Sequence, residues 1–139
     1  MASSVTQIPP AESSKASIHF EERLTFNTDC WDVHHALSTR QQDFVLLDVR
    51  GPVGYKDKHV PGAINLPHGK IVERKLKEWP ADTVFVVYCA GPHCNGANKA
   101  AIRLARLGRP VKEMQGGITG WYDEGFAFAH GEAPGEVND

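Results

Sequence analysis

The stretch that most restricts the fold is Thr83-Val-Phe-Val-Val-Tyr88, a β-branched and aromatic run that ends on Cys89. It turns through Ala90-Gly-Pro-His-Cys94-Asn95-Gly96 into an amphipathic segment that reaches Leu107. The first part predicts a strand over residues 83–88. The second predicts a helix over about 95–107, with Ala97, Ala101, Leu104 and Ala105 facing inward and Lys99, Arg103 and Arg106 forming a solvated stripe. Gly108 caps that helix and Pro110 stops it. A strand feeding a helix through a tight turn belongs to parallel α/β sheets, and sites in open sheets of this kind form at the carboxyl ends of strands. Cys89 occupies such an end.

The remaining segments alternate in the same way. Residues 23–26 read as a short strand, and Asp29 suits the N-cap of a helix over residues 30–39. Residues 44–50 are a near-continuous apolar run, as expected for a strand buried on both faces. A short helix over 52–58 carries Pro52 in its first turn, and 63–66 is a brief strand. Ile71, Val72, Leu76 and Trp79 recur at helical spacing over 70–79, until Pro80 ends the pattern. Residues 111–115 form the last strand, and Gly116-Gly117 opens a final short helix with Trp121 and Tyr122. Residues 1–19 and 128–139 lack periodicity and read as flexible tails flanking one domain, 20–127.

A chain of 139 residues with 41% hydrophobic and 23% charged residues suffices for one buried core. A formal charge of −2 provides no basic field for nucleic acid. No apolar run approaches the ~20 residues that cross a bilayer, and residues 1–17 have no secretory h-region. Three cysteines do not make a disulfide framework, so a cytoplasmic protein with reduced thiols is expected. Cys30, within a helical pattern, reads as a small buried hydrophobe.

Cys89 reads differently. The thiolate is the reactive form of cysteine, and a helix N-terminus favours negative charge. Turn amides can converge on an anion there, so Cys89 is expected to be acidified. The donors in reach are the N–H groups of Ala90, Gly91, His93, Cys94, Asn95 and Gly96; Pro92 has none. No metal is expected, because only Cys89, His93 and Cys94 lie together without a second ligand pair.

Four segments in order then resemble the rhodanese-like (sulfurtransferase) family in its single-domain form. They are Leu47-Asp48-Val-Arg50; Tyr55 with His59-Val-Pro61-Gly62-Ala-Ile-Asn65-Leu-Pro67; Val87-Tyr-Cys89 with its loop; and Gly116-Gly117-Ile-Thr-Gly120-Trp121. The resemblance implies a five-stranded parallel sheet with helices on both faces. It makes Cys89 the nucleophile that carries sulfur as a persulfide, in a loop running to Cys94. It also carries Asp48 and Arg50 onto positions that support the active-site loop, makes His59 structural, and implies no cofactor.

The expected reaction is double displacement. Cys89 takes the outer sulfur of a sulfane donor, and a thiol, cyanide or an acceptor protein's cysteine removes it. Loop amides stabilise the persulfide anion. Thiosulfate-using relatives place cations just after the cysteine, where this chain has Ala90 and Gly91, and Gly54 stands where relatives often carry Arg or Glu. Weak use of thiosulfate and better use of a thiol persulfide are therefore expected. Cys94 is either a small packing residue or a resolving thiol that displaces sulfur or protects Cys89. Two other functions compete: a thiol redox protein using Cys89 and Cys94, and a non-catalytic interaction module. A phosphatase or arsenate reductase on the same fold needs arginine six positions after the cysteine to grip an oxyanion; Asn95 stands there.

Overall fold

The computed structural model describes residues 1–137. Five parallel strands form one sheet: β1 (Asn27–Asp29), β2 (Val45–Asp48), β3 (Ile64–Asn65), β4 (Phe85–Tyr88) and β5 (Val111–Gln115), in the order β1-β5-β4-β2-β3. Side chains alternate across a strand, and both faces of β2 and β4 are covered. Leu46, Val86 and Tyr88 point toward Cys30 and Val33 of α2 (Cys30–Ser38), Tyr55 of α3 (Pro52–Asp57) and Trp121 of α5 (Gly117–Asp123). Leu47, Val49, Phe85, Val87 and Cys89 point toward Ala97, Ala100 and Leu104 of α4 (Gly96–Arg106). The same period of two puts Asp48 beside Tyr88 and sends Cys89 to the opposite face.

Local chemistry sets the boundaries. Asp29 caps α2 by accepting from the Asp32 amide at 2.8 Å. Pro52 sits in the first turn of α3, where its missing N–H is harmless.

Four segments differ from expectation. Helix α1 (Ser13–Phe26) occupies part of the expected tail and absorbs the expected strand at 23–26. No glycine or proline interrupts it, and Ser17–Glu21 and Thr25–Glu22 hydrogen bonds support it locally although no residue of α1 is buried. Residues 70–79 form no α-helix. Two 3-10 turns, His68–Lys70 and Glu73–Leu76, replace it, because Ile71 and Val72 between them are extended. Ile71 and Leu76 are buried all the same. In α4 the inward small residues are Ala97, as expected, and Ala100, while Ala101 is half-buried and Ala105 is exposed. Finally, residues 129–134 are pinned rather than loose. Ala129 and His59 exchange backbone bonds at 2.9 Å, Pro134 O accepts from Gly62 N at 2.8 Å, and the buried His59 ring faces the Ala133 and Pro134 carbonyls at 3.0 and 3.1 Å. Backbone docking of this kind leaves no hydrophobic period to read. Positions 138 and 139 of the expected tail lie outside the described residues.

Candidate functional site

Cys89 follows directly on β4, and α5 fixes its backbone. The Cys89 carbonyl accepts from Ile118 N at 3.2 Å, and the Ala90 carbonyl accepts from Thr119 N and Thr119 Oγ1 at 3.0 and 3.1 Å. Such close approach requires glycine. Gly117 has φ +53°, and a Cβ on it would collide with the Cys89 carbonyl; a Cβ on Gly91 would come within 2.6 Å of Thr119 Oγ1. The loop then folds back on itself, with Cys94 N donating to Gly91 O at 3.0 Å. A Cβ on Gly96 would lie 2.7 Å from Cys89 Sγ and 3.5 Å from Cys94 Sγ. The space beside Gly96 therefore belongs to both sulfurs.

The cradle is narrower than the sequence suggests. Of the expected amides, those of Ala90 and Gly96 favour negative charge on both Cys89 and Cys94, while the Cys94 amide is committed to Gly91. Pro92, His93 and Asn95 are exposed, and the Asn95 side chain makes no capping bond.

The acidity expected at Cys89 is not there. Cys89 is 6% exposed, and burial, followed by its hydrogen bond to Cys94, pushes its thiol up to about 11 against the opposing Ala90 and Gly96 amides. Cys94 is half-buried and moves the other way, held below the ordinary thiol value first by the bond from Cys89 and then by the Gly96 amide. Of the two thiols, Cys94 is the one on which a negative charge is favoured, and Cys89 the one that holds its proton. Desolvation at the strand end outweighs two amides; the outer thiol, less desolvated, gains from them.

Both thiols open on a cavity of ≈ 370 Å³, bounded also by Asn98, Glu113, Gln115 and Gly117. No Lys or Arg lines it among the described residues, and Glu113 is its one carboxylate. Burial raises the Glu113 carboxyl. A larger hollow of ≈ 780 Å³ lies along α4 between His68, Glu73, Lys99, Arg103 and Arg106, but no cysteine lines it.

Asp48 and Arg50 are brought together next to this site. Asp48, fully buried, accepts from Arg50 N at 3.0 Å, from its Nε at 3.1 Å and Nη2 at 2.7 Å, and from Tyr88 Oη at 2.8 Å. Arg50 Nη2 also donates to Lys58 O at 2.6 Å, and Asn65 Nδ2 donates to the Asp48 and Arg50 carbonyls at 3.0 and 2.9 Å. Burial works against the guanidinium, but the Asp48 bond prevails and raises it. The Arg50 Nη1 lies 3.3 Å from where a Gly54 Cβ would stand, so the missing side chain at 54 makes room for the guanidinium. Cys30 takes no part: on the opposite face it donates toward Gln115 O and Gly117 O at 3.5 and 3.6 Å, and burial, then Asp29 and Glu124, push it up to about 12.

Sequence reasoning missed Glu113, Thr119 and the spatial role of Gly96. Glu113 left a signal: a carboxylate on the helix-covered face of a parallel strand is out of place. Among the described residues no group of three His, Cys, Asp or Glu is arranged to hold a metal ion, and no helix is long and apolar enough to cross a membrane.

Comparison with known proteins agrees with this architecture. The model of the rhodanese-like domain matches residues 32–124. The chain is 32% identical over 87 residues to the thiosulfate sulfurtransferase GlpE of Pseudomonas syringae, covering 62% of this chain and 79% of that protein. It is 38% identical over 97 residues to the HTH-type transcriptional regulator Rv0324 of Mycobacterium tuberculosis, covering 65% of this chain but only 42% of the regulator. The crystal structure of the BH2092 protein from Bacillus halodurans superposes with a TM-score of 0.83 at 36% identity, covering 87% and 88% of the two chains. The chain belongs to the rhodanese-like family, and sulfurtransferases stand among its relatives.

Proposed function

We propose that this protein is a sulfurtransferase that carries sulfane sulfur on Cys89. The observation that supports it most is the setting of Cys89 Sγ: the Ala90 and Gly96 amides favour its anion, Gly96 lies so close that a Cβ there would come within 2.7 Å of the sulfur, and a cavity opens beyond. Cys94, in its thiolate form, accepts the Cys89 proton as Cys89 Sγ attacks the outer sulfur of the donor. The donor's S–S bond breaks, and its inner sulfur leaves as a thiolate that takes up that proton. An acceptor thiolate or cyanide then attacks the terminal sulfur, and Cys89 departs as thiolate. Sulfane sulfur moves without net oxidation. Amides placed before the charge develops need no reorganisation.

The cavity also bears on the donor. A dianion such as thiosulfate meets a carboxylate at Glu113 and, among the described residues that line the cavity, no cationic side chain. A small persulfide bearing an ammonium group meets a complementary charge instead. The expected donor is therefore an aminothiol persulfide, with a low-molecular-weight thiol, cyanide or an acceptor protein's cysteine taking the sulfur.

The test is intact mass after exposure to cysteine persulfide and to thiosulfate, with the adduct mapped by peptide. One added sulfur on Cys89, formed faster with the persulfide, is expected. In Glu113→Gln the thiosulfate reaction gains relative to the persulfide reaction, by up to about tenfold for one removed like charge. No adduct on Cys89 with either donor refutes the reading.

A further inference from the structure

Two cysteines on this face converge on one point, and sulfur transfer to an external acceptor uses only one of them as a carrier. A single position, the site of a Gly96 Cβ, lies 2.7 Å from Cys89 Sγ and 3.5 Å from Cys94 Sγ. Both sulfurs open on the same cavity, and the Cys94–Gly91 backbone bond curls the loop so that Cys94 returns over Cys89. Cys89 is the deeper of the two, and Cys94 is closer to solvent.

From this juxtaposition we infer that Cys94 resolves the Cys89 persulfide internally, so that the protein reduces persulfides to hydrosulfide as well as passing sulfur on. The inference rests on the sulfur-carrying reading above. Water protonates the outer sulfur of Cys89–S–S⁻, Cys94 thiolate attacks Cys89 Sγ of the resulting Cys89–S–SH, a Cys89–Cys94 disulfide forms, and the bond to the sulfane sulfur breaks. That sulfur leaves as hydrosulfide with the proton it has gained. Two electrons pass from the two cysteine sulfurs to the sulfane sulfur. A dithiol or two monothiols then reduce the disulfide, entering at the more exposed Cys94, and restore both thiols. Attack by a thiolate is fastest when the leaving group is the more acidic partner, and hydrosulfide is a good leaving group by that measure. An external acceptor competes with Cys94 for the same persulfide, so the acceptor level decides whether sulfur is handed on or released as sulfide.

Structure also separates this pair from the third cysteine. Cys30 lies across the sheet, bonded to the Gln115 and Gly117 carbonyls, and serves as an internal control.

The experiment uses the full chain, reduced, freed of thiols, and loaded to completion with one equivalent of cysteine persulfide. Hydrosulfide is trapped with monobromobimane while the mass and disulfide map are followed. The expected result for the wild type is about one equivalent of hydrosulfide and a Cys89–Cys94 link. Cys94→Ser, loaded to completion, is expected to keep its sulfur on Cys89 until cyanide is added, with hydrosulfide release reduced at least tenfold. Cys30→Ser behaves as the wild type. A wild-type persulfide that persists on Cys89 without hydrosulfide or the link overturns the inference and leaves the carrier reading standing. No sulfur on Cys89 in either protein removes both.

Discussion

Two polar clusters flank the carboxyl ends of β2 and β4, and they are built on opposite plans. Around Asp48 every strong donor finds an acceptor: the carboxylate takes bonds from Arg50 and Tyr88, and Arg50 is also tied to the Lys58 carbonyl. That cluster is closed. Around Cys89 two thiols face each other with shifted acidities, the Ala90 and Gly96 amides favour charge on either sulfur, and both open on a cavity. A closed network fixes geometry and has nothing left to offer a ligand; the open one keeps an unfilled place for a sulfur atom. Strand alternation produces both, since Asp48 and Tyr88 pair on one face while Cys89 follows on the other.

The largest expected effect comes from opening the closed cluster. Asp48→Ala leaves the Arg50 guanidinium, whose side chain is 15% exposed, without its partner, and breaking a buried pair costs about 3–5 kcal/mol. Urea unfolding with an unchanged m-value measures it. A loss below ~1 kcal/mol, the range of an exposed pair, contradicts the anchoring role. Filling the open cluster has a smaller effect on stability and a direct one on chemistry. In Gly96→Ala a Cβ lands 2.7 Å from Cys89 Sγ, which forces the thiol away from the Gly96 amide or shifts the start of α4. Overpacking of this kind costs about 1–3 kcal/mol, and sulfur loading on Cys89 is expected to slow by roughly tenfold or more for each 1.4 kcal/mol lost in the transition state. Unchanged loading kinetics shows that the space beside Gly96 is not where sulfur is held.

Much of this was legible before the structure. The apolar runs at 44–50 and 83–88 located the central strands, because parallel strands buried on both faces need continuous hydrophobicity. Cys89, Asp48, Arg50 and the glycine pair at 116–117 stood in a recognisable order. What escaped is what depends on tertiary burial. Helix α1 buries no residue, so no amphipathic stripe marked its limits, and the segment at 129–134 is held by carbonyls that carry no side-chain signature. Glu113 required knowing that β5 lies beside β4 with that carboxylate lining the sulfur cavity. A turn of amides is visible in the sequence and the desolvation of Cys89 is not, so the sequence points to acidity at Cys89 while the lowered thiol is Cys94.

That reassignment supplies the finest test of the contrast between the clusters. Iodoacetamide reacts with thiolates, so the order of alkylation along a pH series reports which sulfur ionises first. Cys94, shifted below the ordinary thiol value, loses its proton first as pH rises; Cys89 follows only as pH approaches about 11. Along the series the label is therefore expected on Cys94 before Cys89. In Cys94→Ser the thiol bond and the neighbouring negative charge that help raise Cys89 are gone, while its burial remains. The Cys89 inflection then moves to lower pH without falling to the value of an exposed thiol. Label found on Cys89 first in the wild type reverses that order, and with it the role of Cys94 as the acceptor of the Cys89 proton. An inflection in Cys94→Ser that does not move means that burial alone sets the Cys89 thiol and the two sulfurs titrate independently.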